Sequence, residues 1–282
     1  MSKHRHKWRK INKRQLLHAE ALLRSQEDWC INACNKFINR NDSQESTIWV
    51  LSGIDGTLSA LIIYSGQSLL PVFCEQDLPL QHFIRTFIAR HPVYSVQGRY
   101  HDVRSVEMAL AQGGLFATET IDYDLMSLNF QPTAYQTAGP PGLIIRQARA
   151  DDMDGLAAMH AAYEQEEVLP AAAVFNAAVS RMHIERIYKQ QHILVAERGG
   201  RLMGKINTNA MSFTRSQIGG VYVHPDCRCM GIGRRMAGEF AASLIDQGWG
   251  ISLFVKKSNT PARRVYQCIG FEILGDYRIS YF

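Results

Sequence analysis

Two stretches in the last quarter of this 282-residue chain set glycine, arginine and tyrosine at spacings where they can do chemistry. The first, Asp226-Cys227-Arg228-Cys229-Met230-Gly231-Ile232-Gly233-Arg234-Arg235, follows the apolar run Val221-Tyr222-Val223. The β-branched and aromatic segment Ile218 to Val223 predicts a buried strand, and the residues after the turn predict a helix from about Gly231 to Asp246. Glycines at 231 and 233 strip side chains from this junction, so backbone N–H groups at the helix start can approach a ligand together. Such a junction cradles a pyrophosphate, and Arg228, Arg234 and Arg235 place guanidinium charge beside it. Short glycine patterns also mark ordinary turns, so a second signal is needed.

That signal starts 26 residues after Gly233, in Asn259-Thr260-Pro261-Ala262-Arg263-Arg264-Val265-Tyr266-Gln267-Cys268-Ile269-Gly270-Phe271. Ser258 or Asn259 can cap a helix whose first turn suits Pro261, and Gly270 ends it before a last strand running from Phe271 through Tyr281. Asn259, Arg263 and Tyr266 stand at i, i+4 and i+7 and share one helix face. A solvated face with a half-buried tyrosine has the same pattern as a stripe that grips a ligand.

At these residues the chain resembles the GNAT superfamily of N-acetyltransferases. Its pyrophosphate-loop pattern is met by Arg228, Gly231 and Gly233, and its later helix by Asn259, Ala262, Tyr266, Gly270 and Phe271, over a likeness spanning roughly residues 143 to 282. The resemblance implies an amine attacking the thioester of bound acetyl-CoA directly, with acetyl-CoA as acyl-donor substrate and no metal. It implies that backbone groups of Val221, Tyr222 and Val223 pair with the pantetheine arm. N–H groups of Cys229, Met230, Gly231, Ile232, Gly233 and Arg234, beside Arg228, would then hold the pyrophosphate. Asn259 and Arg263 would contact the cofactor, and Tyr266 would protonate the departing thiolate. A phenol of ordinary pKa, about 10, is well matched to that transfer.

The proton of the attacking amine has no obvious acceptor. Family members often carry a Glu on the strand before the loop, and the matching position here, 11 residues before Arg228, is Gln217. The acidic run Glu164-Gln165-Glu166-Glu167 at the end of the first helix, with Glu166 as the residue chosen, stands in as the candidate base; His224 and a water chain are alternatives. A solvated helix end explains the acidic run equally simply.

The elements that must position these groups read as a mixed α/β (α+β) sheet. Leu143 to Arg146 predicts a strand, Asp151-Asp152 caps a helix to about Glu166, and Ala171 to Lys189 predicts another. Residues 192–206 predict a hairpin turning at Gly199-Gly200, and Trp249 to Val255 predicts the strand between the two signature helices. Polar, proline-rich residues 132–142 read as a linker, giving domains 1–131 and 143–282.

The first segment repeats the layout of the second. Trp49 to Ile63 has the strand, glycine turn and strand of 193–206, and Ser95 to Gly113 parallels Ser252 to Gly270 at a constant offset of 157. Asp102 then stands for Asn259 and Ala109 for Tyr266, while Val72 to Pro79 has no glycine where the phosphate turn belongs. Two GNAT-like mixed-sheet domains in tandem are expected, the N-terminal one degenerate. The degenerate half and Gln217 also suit a second reading, a non-catalytic CoA-binding sensor or scaffold.

Residues 1–14 carry seven of the 31 Lys and Arg and no acid, so the net charge of +5 belongs to this stretch. A frayed, solvated start to the helix Gln15 to Arg24 is expected there rather than a nucleic-acid partner. The stretch lacks the apolar core of a secretory signal, and no run of 18 apolar residues exists to span a membrane. Six cysteines in a chain of this length suggest reduced, cytoplasmic thiols, and neither Cys30/Cys34 nor Cys227/Cys229 has the partners of a closed zinc site. The expected partner is an amine acceptor, whether small molecule, peptide or protein, and monomer and homodimer both remain open.

Overall fold

The computed structural model describes residues 7–40, 46–53, 57–75, 78–171 and 173–282. Lys3 and Arg5 of the basic start, Ile54-Asp55-Gly56 of the first hairpin and Gln76-Asp77 of the 72–79 segment lie outside the described residues. The chain forms two compact units, Met1–Asp124 with Gly275–Phe282, and Leu125–Leu274.

In the first unit, β1 (Arg9–Lys10) precedes α1 (Leu16–Ser25) and α2 (Ile31–Ile38). Then come β2 (Thr47–Ser52), β3 (Leu58–Ser65), β4 (Ser68–Phe73), α3 (Leu80–Ile88), β5 (Ser95–Arg99) and α4 (Tyr100–Gln112). β6 (Glu119–Leu128) begins here and ends in the second unit. The second unit holds β7 (Ile144–Gln147), α5 (Met153–Tyr163), α6 (Ala177–Gln190), β8 (Ile193–Arg198), β9 (Arg201–Met211) and β10 (Arg215–Val223). It continues with α7 (Ile232–Asp246), β11 (Gly250–Lys256) and α8 (Thr260–Cys268), and β12 (Glu272–Tyr281) closes in the first unit.

The strand order is β1-β2-β3-β4-β5-β12 in the first unit and β7-β8-β9-β10-β11-β6 in the second. In each, an antiparallel meander leads to one parallel pair, β4 with β5 and β10 with β11, and a helix connects the members of that pair. The repeat inferred from the 157-residue offset is therefore also a repeat of topology. In the first unit Asp102 accepts from Arg99 at 3.0 Å and Ala109 packs in the core, so the counterparts of Asn259 and Tyr266 serve structure there.

The units divide elsewhere than at residues 132–142. β12 pairs with β5 over Tyr277↔Arg99 to Tyr281↔Ser95, which assigns the last residues to the first unit. Residues 132–142 are not a free linker: Thr133 N–H donates to Ile269 O at 3.1 Å, and Tyr135 fills the space a side chain at Gly238 would need. Residues 8–10 of the basic start are likewise built into the fold. Arg9 and Lys10 pair with Val50 and Trp49, and Trp8 is buried, stacked on Phe83 at 5.0 Å.

Local sequence explains the elements that carry the signatures. Gly199 and Gly200 at φ 57° and 78° make the two-residue turn between β8 and β9 that matches strand twist. α7 places Met236, Phe240 and Leu244 in the core of the second unit, where each such side chain contributes about 1.5–3 kcal/mol. Its N-terminal turn is thereby held in place.

Candidate functional site

The first signature forms a strand-to-helix turn whose N-cap is a glycine. After β10, His224 caps a short turn and the chain enters left-handed backbone at Cys229 (φ 61°) and Gly231 (φ 79°) before α7 begins. Gly231, the N-cap of α7, has no side chain to cap the helix, so the first N–H groups of this 15-residue helix, which lack intrahelical acceptors, are not met by an N-cap. The two glycines differ in cause. A Cβ at Gly231 would sit 2.9 Å from Gly139 N in a left-handed residue, whereas at Gly233 it would meet only Val223 Cγ2, at 3.7 Å. The fold requires the first glycine; the second leaves open space that a phosphate can use. Arg234 Nε is buried without a hydrogen-bond partner among the described residues, which adds an unspent donor at the same turn.

Beside this turn, β10 and β11 separate. Their parallel register runs from Arg215↔Gly250 to Ile218↔Leu253, and Val221, Tyr222 and Val223 lie beyond it. On the other side, β10 shifts register against β9 between Gly219 and Tyr222, with Gly220 at φ 57°. Added Cβ atoms would strike Asn209 at Gly219 and Asn207 at Gly220, each at 1.9 Å. The Gly219-Gly220 bulge thus accommodates polar side chains of β9 and frees a β10 edge. Two glycines inside a strand pattern are the sequence signal for this bulge.

A wide helical turn, Glu164–Val168, continues α5 and reaches both sides of this opening. Glu166 accepts from Arg228 Nη2 at 2.6 Å and from the Tyr222 hydroxyl at 3.4 Å. Glu167 accepts from Asn259 Nδ2 at 3.2 Å and lies 3.7 Å from Lys256 Nζ. Asn259 also caps α8 through Ala262 N–H at 3.1 Å, and Arg263 lies half-buried on the same helix. The expected base and the expected cofactor contacts therefore share one ionic clasp. These groups are partly exposed, and such ion pairs contribute about 0–1 kcal/mol, so an incoming phosphate can displace them.

Tyr266 is buried on α8 against Phe271, with ring centroids 5.8 Å apart. Burial, then the neighbouring Tyr163 and Glu167, raise its hydroxyl well above the usual phenol range, so it is protonated throughout neutral pH. Tyr163 is pushed up to about 12, again chiefly by burial. Lys205 Nζ lies 4.9 Å over the Tyr163 ring and donates to Gly220 O at 2.8 Å and to Asn207 Oδ1 at 3.2 Å. Burial, only partly offset by Glu164, pushes this lysine down to about 7. A lysine amid the apolar residues of β9 was the overlooked signal for it.

Gln217 is buried, and its Oε1 has no partner among the described residues. His224 accepts from Asp226 N–H at 3.4 Å and acts as a turn cap.

Residues 156–271 match the family model described as acetyltransferase (GNAT) family. Among solved structures, a Drosophila protein aligns over 98% of this chain and 99% of its own, at 12% identity and a TM-score of 0.68. A tandem GNAT protein from the clavulanic acid biosynthesis pathway aligns over 98% of both chains at 11% identity and a TM-score of 0.63. A GCN5-related N-acetyltransferase from Sphaerobacter thermophilus covers 99% of this chain and 96% of its own at 19% identity, with a TM-score of 0.61. At these identities the likeness is one of fold, and it extends over nearly the whole chain. A search of curated proteins returned no match. Among the described residues, no helix is long and apolar enough to cross a membrane.

Proposed function

We propose that this chain, whose residues 156–271 match the acetyltransferase (GNAT) family model, transfers an acetyl group from acetyl-CoA to a primary amine by direct attack. One observation carries the reading: an uncapped α7 N-terminus, with open space at Gly233, lies at the end of a β10 edge that has parted from β11. A pyrophosphate fits the N–H groups of that turn and Arg228, and the freed edge at Val221 to Val223 suits an amide-bearing arm. Acetyl-CoA, a substrate here, supplies the activated thioester.

Within this reading the second unit is catalytic and the first is a degenerate copy. Tyr266 donates its proton to the departing thiolate; burial keeps its hydroxyl protonated but raises it above the ordinary phenol value expected from sequence, so it is a weaker acid than that match assumed. Arg228 turns from Glu166 to phosphate, and the released Glu166 carboxylate takes the proton of the amine. The acceptor is a small molecule, peptide or protein amine, met in the cytoplasm, where the six free cysteines stay thiols.

Thiol release from acetyl-CoA over a panel of amines tests the proposal, with wild type compared against Tyr266→Phe and Gly231→Glu. Turnover by wild type, loss of turnover with retained CoA binding in Tyr266→Phe, and loss of binding in Gly231→Glu are expected. CoA binding without turnover on any amine would favour a non-catalytic CoA sensor, a reading that the missing carboxylate at Gln217 supports. A wild type that binds no CoA would overturn both.

A further inference from the structure

Three nitrogen and oxygen donors converge where the end of α5 meets α6. His160 and Glu164 stand one helical turn apart on the same face, and His183 comes from α6. His160 Nε2 lies 3.3 Å from Glu164 Oε1, and His183 Nδ1 lies 3.1 Å from the same oxygen. Donor atoms of all three residues lie within 4.8 Å of one another.

Two features distinguish this cluster from an ordinary ion pair. His160 is only 4% exposed; its Nδ1 has no hydrogen-bond partner among the described residues, and its Nε2 meets only Glu164 Oε1, at 3.3 Å and outside hydrogen-bond geometry. A buried polar group left in that state costs about 1–3 kcal/mol, which makes an unmet ligand the simpler account of its retention. The spacing also leaves room for a coordination shell, since all three donors lie within 4.8 Å of one another. Donors at about 2.0–2.1 Å from a tetrahedral ion stand roughly 3.3 Å from each other, close to both observed separations.

We propose that His160, Glu164 and His183 bind a divalent transition-metal ion, zinc by ligand type, with the fourth position left to water. Two imidazoles and one carboxylate suit zinc or its near neighbours and are a poor set for magnesium or calcium. The neighbouring ammonium of Lys205 is engaged by Gly220 O and Asn207 Oδ1. Ligation at Glu164 fixes the first residue of the turn whose Glu166 and Glu167 hold Arg228 and Asn259, so the ion braces that clasp. From the sequence no metal is expected; these three ligands come from two helices and include no cysteine.

The test uses the full chain after chelator treatment and dialysis, titrated with Co²⁺ for its d–d spectrum and with Zn²⁺ by calorimetry. One ion per chain with tetrahedral-type cobalt bands is expected. Glu164→Gln and His183→Ala should each weaken binding by roughly tenfold or more. The His183 side chain is 44% exposed, so its removal leaves the fold intact, as circular dichroism would verify. Zinc should raise the Tm of wild type and leave that of His183→Ala unchanged. A wild type that takes up no ion overturns the proposal. So does a His183→Ala protein that binds as wild type does, since the ion would then sit on other histidines or thiols.

Discussion

Arg228 Nη2 stands 2.6 Å from Glu166 Oε2, so the arginine of the phosphate turn is paired with the candidate base, 62 residues away in sequence. Each residue has a second claim on it in the proposed reaction, phosphate for one and the amine proton for the other. Glu166→Gln should therefore separate two effects. Loss of the competing carboxylate should tighten CoA binding by about two- to fivefold, the scale of a partly exposed ion pair. Loss of the base should lower kcat by tenfold or more. Binding by calorimetry and turnover by thiol release report the two independently, and unchanged turnover would remove Glu166 from the chemistry.

Tyr266 should behave as a proton donor whose ring is also a packing element. Tyr266→Phe keeps the contact with Phe271, so Tm should shift little while kcat falls by about 10²–10⁴. CoA affinity should be retained. A variant with wild-type kcat would mean that the thiolate is protonated from elsewhere.

The two glycines of the phosphate turn should separate folding from binding. Gly231→Ala puts a side chain into left-handed backbone and to within 2.9 Å of Gly139 N, and should cost about 1–2 kcal/mol or more of stability. Gly233→Ala lies inside α7 with only one ordinary contact, so its stability should hold or rise by about 0.5–1 kcal/mol. Its CoA affinity should nevertheless drop, because the new methyl occupies the space assigned to phosphate. Urea denaturation and CoA titration of both variants check this, and a Gly233→Ala protein with wild-type affinity would argue against that assignment.

Lys205 gives the second unit a pH dependence whose sign follows from burial. Its folded pKa, about 7, lies below the ordinary value of 10.5, so between those limits the unfolded chain binds more protons than the folded one. Stability should rise with pH from about 7 toward 10.5, and the contribution should be lost as pH falls through 7. In Lys205→Met that part of the slope should vanish, whatever the variant's absolute stability. Denaturant midpoints at pH 7 and 9.5 measure it, and equal slopes in the two proteins would contradict it.

The sequence by itself determined what depends on contiguous residues. The strand-to-helix turn at Arg228 to Gly233 was legible because a strand end, a glycine and a helix start are written in order over about ten positions, each limited by local backbone sterics. The α8 face was legible because helical period sets Asn259, Arg263 and Tyr266 on one side. The repeat of topology was legible in a constant offset.

Only the tertiary structure decided which of these groups meet. Strand neighbours are chosen by hydrogen bonds between distant residues, so the pairing of β12 with β5, and with it the division of the units, carries no local signature. Residues 132–142 looked like a linker because packing onto α7 through Tyr135 depends on a hollow at Gly238, a surface far along the chain. Glu166 reads as a solvated helix end until the turn after α5 brings it to Arg228. His160 and Glu164 were spaced correctly in sequence all along; the third donor, His183, arrives with α6, because helix packing rather than spacing sets that distance.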